Sequence, residues 1–380
     1  MDLLRGLAMF GVLWSNLNDW YGVDDPHTTI QHIFRWIQDY VIESRFYTLL
    51  GFLFGYGFAI QLMRAEERCA DVRVMFYRRM AALLGIGMVH GLFLWRGDIL
   101  TGYAIAGAFL ALFRRWPPRA LVAAAAVMLA VVPALEFTGV AVFHIHLPPW
   151  PDQRRVDWVY THGSIVQVAA MGREGYLFWY RRWAPFVLPP FLGLFLLGLC
   201  TAKTKLLERL STDRPRLIRI SLWAAGSVFA GYALLKGTAY LWPGEGAKAA
   251  ANPLRQSVFW VLNHGPIWSG ALMYASALSA VAANPATVAR LRPLAAIGQM
   301  SLTTYLTQTL ISVTLFYPFG FGLYGHATLL QIFAIAIVVF SLQMAASLWW
   351  LKRYRFGPME WLWRSIAYLE WQPWRREPAA

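Results

Sequence analysis

Residues 327–351 read ATLLQIFAIAIVVFSLQMAASLWWL and contain no charged side chain. At about 1.5 Å of rise per residue, a helix of this length crosses the roughly 30 Å hydrocarbon core of a bilayer. The composition extends that reading to the whole chain. Of 380 residues, 58% are apolar and 14% charged, with 19 Trp, 17 Tyr and 24 Phe. Soluble domains carry about 25% charged residues, and so few charges cannot cover this much apolar surface. The counts predict an all-α, polytopic integral membrane protein.

Outward from that stretch, nine more segments meet the same requirement of about 20 largely apolar residues. They run from Leu3 to Trp20, Phe46 to Met63, Val74 to Trp95, Ile99 to Phe113 and Ala120 to Phe143. The second half continues with Ala184 to Ala202, Leu217 to Leu241, Ser257 to Ala280 and Leu294 to Tyr317. The sequence thus predicts about ten transmembrane helices. With the amino terminus inside, the inner segments hold 22 Lys and Arg and the outer ones 10. Basic residues collect on the cytoplasmic side, so both termini are expected there. The organisation read from this is one integral membrane domain. It comprises an amino-terminal five-helix half (1–143), an outer loop (144–183), a carboxy-terminal five-helix half (184–351) and a cytoplasmic tail (352–380). In the tail, Trp361, Trp363, Tyr368, Trp371 and Trp374 stand among charges, which suits an interfacial anchor.

The formal net charge of +14 would raise nucleic acid as a partner of a soluble protein. Here the loop bias accounts for it, and no nucleic-acid partner is expected; the bilayer is. Cys69 and Cys200 form no disulfide framework. The chain has no phosphate-binding Gly-rich loop with Lys-Ser/Thr, no Gly-x-Ser-x-Gly and no Cys-based zinc spacing. His144-Ile145-His146 is a weak metal pattern, and no metal is expected. The sequence leaves homo-oligomerisation open.

Polar residues inside apolar spans are costly and therefore informative. All eight histidines fall on the outer side of the expected topology. His90 lies about 17 Å along a helix from Arg78 and Arg79, which places the arginines at the inner headgroups and the imidazole in the outer half. Asp98 follows closely enough to orient it. Ser301, Thr304, Gln308 and Ser312 share one helix face, which must meet another helix or a water-filled path. His264 precedes Pro266, a residue that kinks helices. Asp2 and Arg5 are spaced to pair.

Several local patterns together resemble the YeiB-like bacterial membrane proteins, which carry domain of unknown function 418. Asp2-Leu3-Leu4-Arg5-Gly6 followed by Asn16 resembles their opening, and Arg45-Phe46-Tyr47 with Leu53-Phe54-Gly55-Tyr56-Gly57 their second span. His90 through Gly97-Asp98-Ile99-Leu100 resembles their third-to-fourth hairpin. Gly298-Gln299-Met300-Ser301-Leu302-Thr303-Thr304 resembles the ninth span, and Gly357-Pro358-Met359-Glu360-Trp361 the carboxy-terminal signature. Thr304 stands where the family has Asn, and Gln299-Met300 departs from its usual Arg-Met.

The opening is also similar to that of heparan-alpha-glucosaminide acetyltransferases and the wider transmembrane acyltransferases. That resemblance implies a bacterial inner-membrane enzyme taking an acyl group from cytosolic acyl-CoA, acetyl-CoA first among them, to an extracytoplasmic acceptor. It implies an outer-side histidine, for which His27 and His90 qualify. Asn16 occupies a position where related enzymes carry His, and an amide is no base. The resemblance further implies a short polar leader ahead of Asp2.

Two functional expectations follow. In the first, Arg5, Arg78 and Arg79 hold the acyl-CoA phosphates, and His90 oriented by Asp98 serves as base. Asn16, Arg45, His264, Ser301, Thr304 and Gln308 then line a substrate path. In the second, the same polar faces line the route of a non-catalytic carrier for a small or lipid-linked solute. A regulatory or scaffold role is a third reading.

Overall fold

A computed structural model describes residues 1–18, 28–67, 72–137, 152–242 and 252–376. These residues are helical throughout, and the one extended pairing among them is the isolated bridge Tyr354–Arg375. In chain order the helices are α1 (Asp2–Asn18), α2 (Thr29–Ile37), α3 (Arg45–Glu67), α4 (Val72–Phe93), α5 (Leu100–Leu110) and α6 (Pro118–Phe137). There follow α7 (Gln153–His162), α8 (Ile165–Lys203), α9 (Leu206–Ser211), α10 (Arg214–Leu241) and α11 (Pro253–Ala282). The last are α12 (Pro285–Arg290), α13 (Arg292–Gln299), α14 (Ser301–Phe316), α15 (Leu329–Leu351) and α16 (Pro358–Tyr368). Local sequence sets the starts. Thr28 with Gln31, Ser164 with Gln167 and Thr328 with Gln331 form capping boxes for α2, α8 and α15. Asp213 and Asn252, each with a proline in the first turn, cap α10 and α11.

The chain is a membrane protein. Four described segments are long and apolar enough to cross a bilayer: Thr29–Arg64, Phe186–Lys203, Arg214–Leu241 and Leu329–Leu351. On α10, Trp223 and Phe229 are each 75% exposed and Leu222, Tyr240 and Leu241 lie open too. Apolar exposure of this kind along a long helix suits a face turned to lipid. Each of the ten apolar stretches coincides with a helix over most of its described length. Two features differ from the reading of the sequence. Helix α8 begins at Ile165, far ahead of Ala184, because Arg173 and Arg181 on exposed faces do not interrupt helical geometry. The stretch from Leu294 to Tyr317 is broken at Met300 into α13 and α14.

That break organises one end of the molecule. Helix α1 packs along α13 and against α3 and α15. Gly298 of α13 lies so close to α1 that a Cβ there would sit 1.9 Å from the Asp2 carbonyl oxygen, which only glycine allows. Helix α14 then starts afresh with its amide hydrogens exposed to capture. Glu360 of α16 caps it, accepting from the Leu302 amide at 2.6 Å, the Thr303 amide at 3.1 Å and the Thr303 hydroxyl at 2.5 Å. A carboxylate at a helix start is favourable for charge as well as hydrogen bonding. The Met359 amide donates back to Thr303 Oγ1 at 3.0 Å. The carboxy-terminal helix is thereby docked on α14 and α4, and Trp363 is buried in the core.

Candidate functional site

One buried polar site forms where α4, the turn after it and α14 meet. His90 sits in the last turn of α4 and is 1% exposed. The chain then turns through Trp95-Arg96-Gly97-Asp98, and a Cβ at Gly97 would lie 2.4 Å from the Trp95 ring. This tight turn returns Asp98 to the helix it left. The Asp98 Oδ1 lies 2.9 Å from His90 Nδ1, as the sequence spacing predicts. Asp98 also accepts from the backbone amides of Leu100 at 3.2 Å and Thr101 at 2.8 Å, at the start of α5. These donors hold the carboxylate as an acceptor. With the imidazole neutral, Nδ1 therefore carries the hydrogen and Nε2 presents its lone pair. That lone pair meets Thr309 of α14, whose Oγ1 is 2.9 Å away. Hydroxyl, imidazole and carboxylate make one directed hydrogen-bond chain.

Its walls are aromatic and polar together. The Tyr305 ring lies 5.1 Å from the imidazole and the Trp95 ring 6.4 Å. The Tyr305 hydroxyl donates to the Gly97 carbonyl at 3.3 Å and accepts from the Ile99 amide at 3.4 Å, so it braces the turn. Thr101 bonds Tyr176 of α8 at 2.9 Å, and the Tyr180 hydroxyl donates to the Asp98 carbonyl oxygen at 3.4 Å. Every element that meets here contributes a hydrogen bond.

At the other end of α4 the electrostatics are different. Arg79 is 5% exposed, and its guanidinium carbon stands 4.0 Å over the Trp363 ring. The Trp363 indole donates to the Arg79 carbonyl oxygen at 2.8 Å. The Arg79 Nε has no hydrogen-bond partner among the described residues, and the charges nearest to it include Arg364 and Arg5. Arg5 pairs with Asp2 at 3.4 Å, as expected. Arg78, one residue on and about 100° around the helix, is exposed and does not join this group. Arg364 stacks on Phe356, and burial lowers its pKa from the ordinary arginine value. Arg79 thus feels two further guanidinium groups, of which Arg5 is paired with a carboxylate.

The other predicted residues are scattered. Buried Asn16 accepts from the Tyr47 hydroxyl. Arg45 is buried, donates to the carbonyls of Glu43 at 2.8 Å and Asp39 at 3.3 Å, and bonds Tyr232. It edges a cavity of about 350 Å³ lined with Trp36, Tyr40, Phe229, Tyr232 and Lys236. His264 stacks on Trp260 at 3.9 Å and faces the Trp260 carbonyl at 2.8 Å, within its own helix. The polar face of α14 is bonded between helices. Gln308 donates to Gln343 of α15 at 3.1 Å, and Gln343 donates to the Thr307 hydroxyl at 2.8 Å and the Thr304 carbonyl at 3.2 Å. Ser301 is half-buried and Ser312 buried. His27, Cys69, His144 and His146 lie outside the described residues. No cluster of three or more metal-ligating side chains occurs among the described residues.

Sequence reasoning passed over Thr309, Arg364 and Glu360. Thr309 stands one turn from Tyr305 and one from Ser312 on a second polar face of α14, beside the face that was singled out. Glu360 sits within the carboxy-terminal pattern, but only the break at Met300 shows what it is for.

A family model described as a protein of unknown function (DUF418) matches residues 201–370. Over 98% of its length the chain is 30% identical to the uncharacterized protein YxaH of Bacillus subtilis (strain 168), covering 94% of that protein. It is 27% identical to the uncharacterized protein YeiB of Escherichia coli (strain K12), over 96% of this chain and 95% of that one. An uncharacterized 39.9 kDa protein in the amylase 3' region of Bacillus acidopullulyticus is 26% identical over 97% of the chain and 93% of its own length.

Proposed function

From the membership of this chain in the YeiB-like DUF418 family, and from the chemistry of its two buried sites, we propose that it is a transmembrane acyltransferase. In this reading about ten helices cross the bacterial inner membrane with both termini cytoplasmic. Cytosolic acyl-CoA, acetyl-CoA first, donates the acyl group, and a hydroxyl or amine on an extracytoplasmic molecule accepts it. The observation that carries the reading is the buried Asp98–His90 pair. A carboxylate held by backbone amides orients the imidazole and stabilises the imidazolium that forms when Nε2 takes a proton. Burial in a water-poor site strengthens that interaction.

The arginines at the other end of α4 supply what the donor needs. An unpaired, buried guanidinium is unfavourable by itself, and a phosphate would satisfy it. Arg79, Arg5 and Arg364 are the residues assigned to CoA, with Trp363 as the platform under Arg79; Arg78 is left to the headgroup region. The test is calorimetric binding of acetyl-CoA to the purified protein in detergent. Saturable binding weakened about tenfold in Arg79→Ala, together with CoA release lost in His90→Ala at unchanged affinity, supports the reading. Absence of binding by acetyl-, propionyl- and longer acyl-CoA overturns it.

One observation favours a carrier instead: the aromatic cavity at Arg45, bordered by Lys236. That reading requires solute movement into vesicles without consumption of any thioester.

A further inference from the structure

The base position on His90 is already occupied. Nε2 faces the Thr309 hydroxyl at 2.9 Å, and Nδ1 faces Asp98 at 2.9 Å. An acceptor hydroxyl drawn from outside would have to take the place that Thr309 Oγ1 fills. All three side chains are buried, so no solvent competes for these bonds. With the imidazole neutral the polarity follows: amides of Leu100 and Thr101 hold Asp98 as an acceptor, Asp98 takes the Nδ1 hydrogen, and the Thr309 hydroxyl donates to Nε2. A hydroxyl, an imidazole and an orienting carboxylate in this order are the parts of an activated nucleophile.

We propose that Thr309 is the nucleophile of the reaction and carries the acyl group as an ester between donor and acceptor. The inference rests on the acyltransferase reading and adds a covalent step to it. In the first half, Thr309 Oγ1 attacks the thioester carbonyl carbon of acyl-CoA. The C–O bond forms, the C–S bond breaks, the hydroxyl proton passes to His90 Nε2, and His90 returns it to the departing thiolate. In the second half, the acceptor hydroxyl or amine gives its proton to Nε2 and attacks the ester carbonyl. Thr309 Oγ1 leaves and regains that proton. Nothing is oxidised or reduced, and the two substrates never need to occupy the site together. For a donor on one side of a membrane and an acceptor on the other, that separation is the practical gain.

The half-reaction needs no acceptor, so the probe is acetyl-CoA labelled in the acetyl group, added to the purified full chain in detergent. The expected result is a stable label on the peptide containing Thr309, located by mass spectrometry, with release of CoA thiol. Thr309→Val reduces the label to background, and Thr309→Ser restores it. Thr309→Cys gives a label that neutral hydroxylamine removes, as a thioester requires, whereas the wild-type ester resists it; a merely structural hydroxyl would produce no such change. Two results overturn the inference while leaving the acyltransferase reading intact: label or CoA release undiminished in Thr309→Val, or CoA release and transfer by the wild type with no label on Thr309. If the wild-type protein neither binds acetyl-CoA nor releases thiol, the acyltransferase reading itself falls and takes this inference with it.

Discussion

The two ends of α4 treat charge in opposite ways. At His90 both ring nitrogens are answered from within the protein. At Arg79, eleven residues away, a buried cation stands on an indole with Nε unanswered and two further arginines close by. The first arrangement is complete in itself. The second is unfavourable until something anionic arrives. A closed network and an open one on a single helix teach that burial alone does not mark function; the state of the hydrogen-bond account does.

The comparison can be broken most sharply at Asp98. Asp98→Asn keeps the shape but removes the charge that orients and stabilises the imidazole. Thioester turnover is expected to fall on the order of 10³–10⁴-fold, with acetyl-CoA affinity unchanged by calorimetry; a parallel loss of affinity would merge the two sites into one. Stability provides the next test, because the two ends should answer with opposite signs. His90→Ala strands the buried Asp98 carboxylate and should destabilise by about 3 kcal/mol, read as a lower melting temperature in detergent. Arg79→Met replaces an unpaired buried cation by an apolar side chain and should leave the melting temperature unchanged or raise it. A large fall in both variants would show that the Arg79 cluster is closed as well.

Smaller effects sharpen the picture. Arg79→Met should weaken acetyl-CoA binding about tenfold, or about 1.4 kcal/mol, with a shallower salt dependence of the affinity. Glu360 provides a pH test. Burial raises its pKa above the ordinary glutamate value, against the opposing hydrogen bonds from Thr303 and Leu302. A carboxyl group with a raised folded-state pKa makes the folded protein bind protons more tightly than the unfolded chain. Stability should therefore fall as pH rises from the ordinary glutamate value through the raised one, and level off above it. Glu360→Gln should remove that slope and leave stability above it unchanged or slightly higher, measured by thermal denaturation across pH.

Much of this was legible in the residues. Apolar length pointed to the helices, and the seven residues between His90 and Asp98 are few enough for a turn to close. What escaped depends on which side of a helix faces inward. Arg78 and Arg79 are neighbours of equal charge, and only the arrival of Trp363, 284 residues later, separates the buried one from the exposed one. Thr309 lies 219 residues from His90, and nothing local distinguishes it from Thr303 or Thr307. The break at Met300 has no proline within it to announce it; close packing of Gly298 against α1 and the remote cap from Glu360 sustain it. Hydropathy continues smoothly through the break and cannot register it.

The cap on α14 also imposes an order on biogenesis. Ribosomes deliver Leu302 well before Glu360, which follows 58 residues later. Until that carboxylate emerges, the start of α14 has amide hydrogens with no acceptor in place, and the segment that presents Thr309 to His90 lacks its anchor. The start of α14 is therefore completed only by residues at the far end of the chain: a product truncated before Glu360 would lack the acceptor for the Leu302 and Thr303 amides.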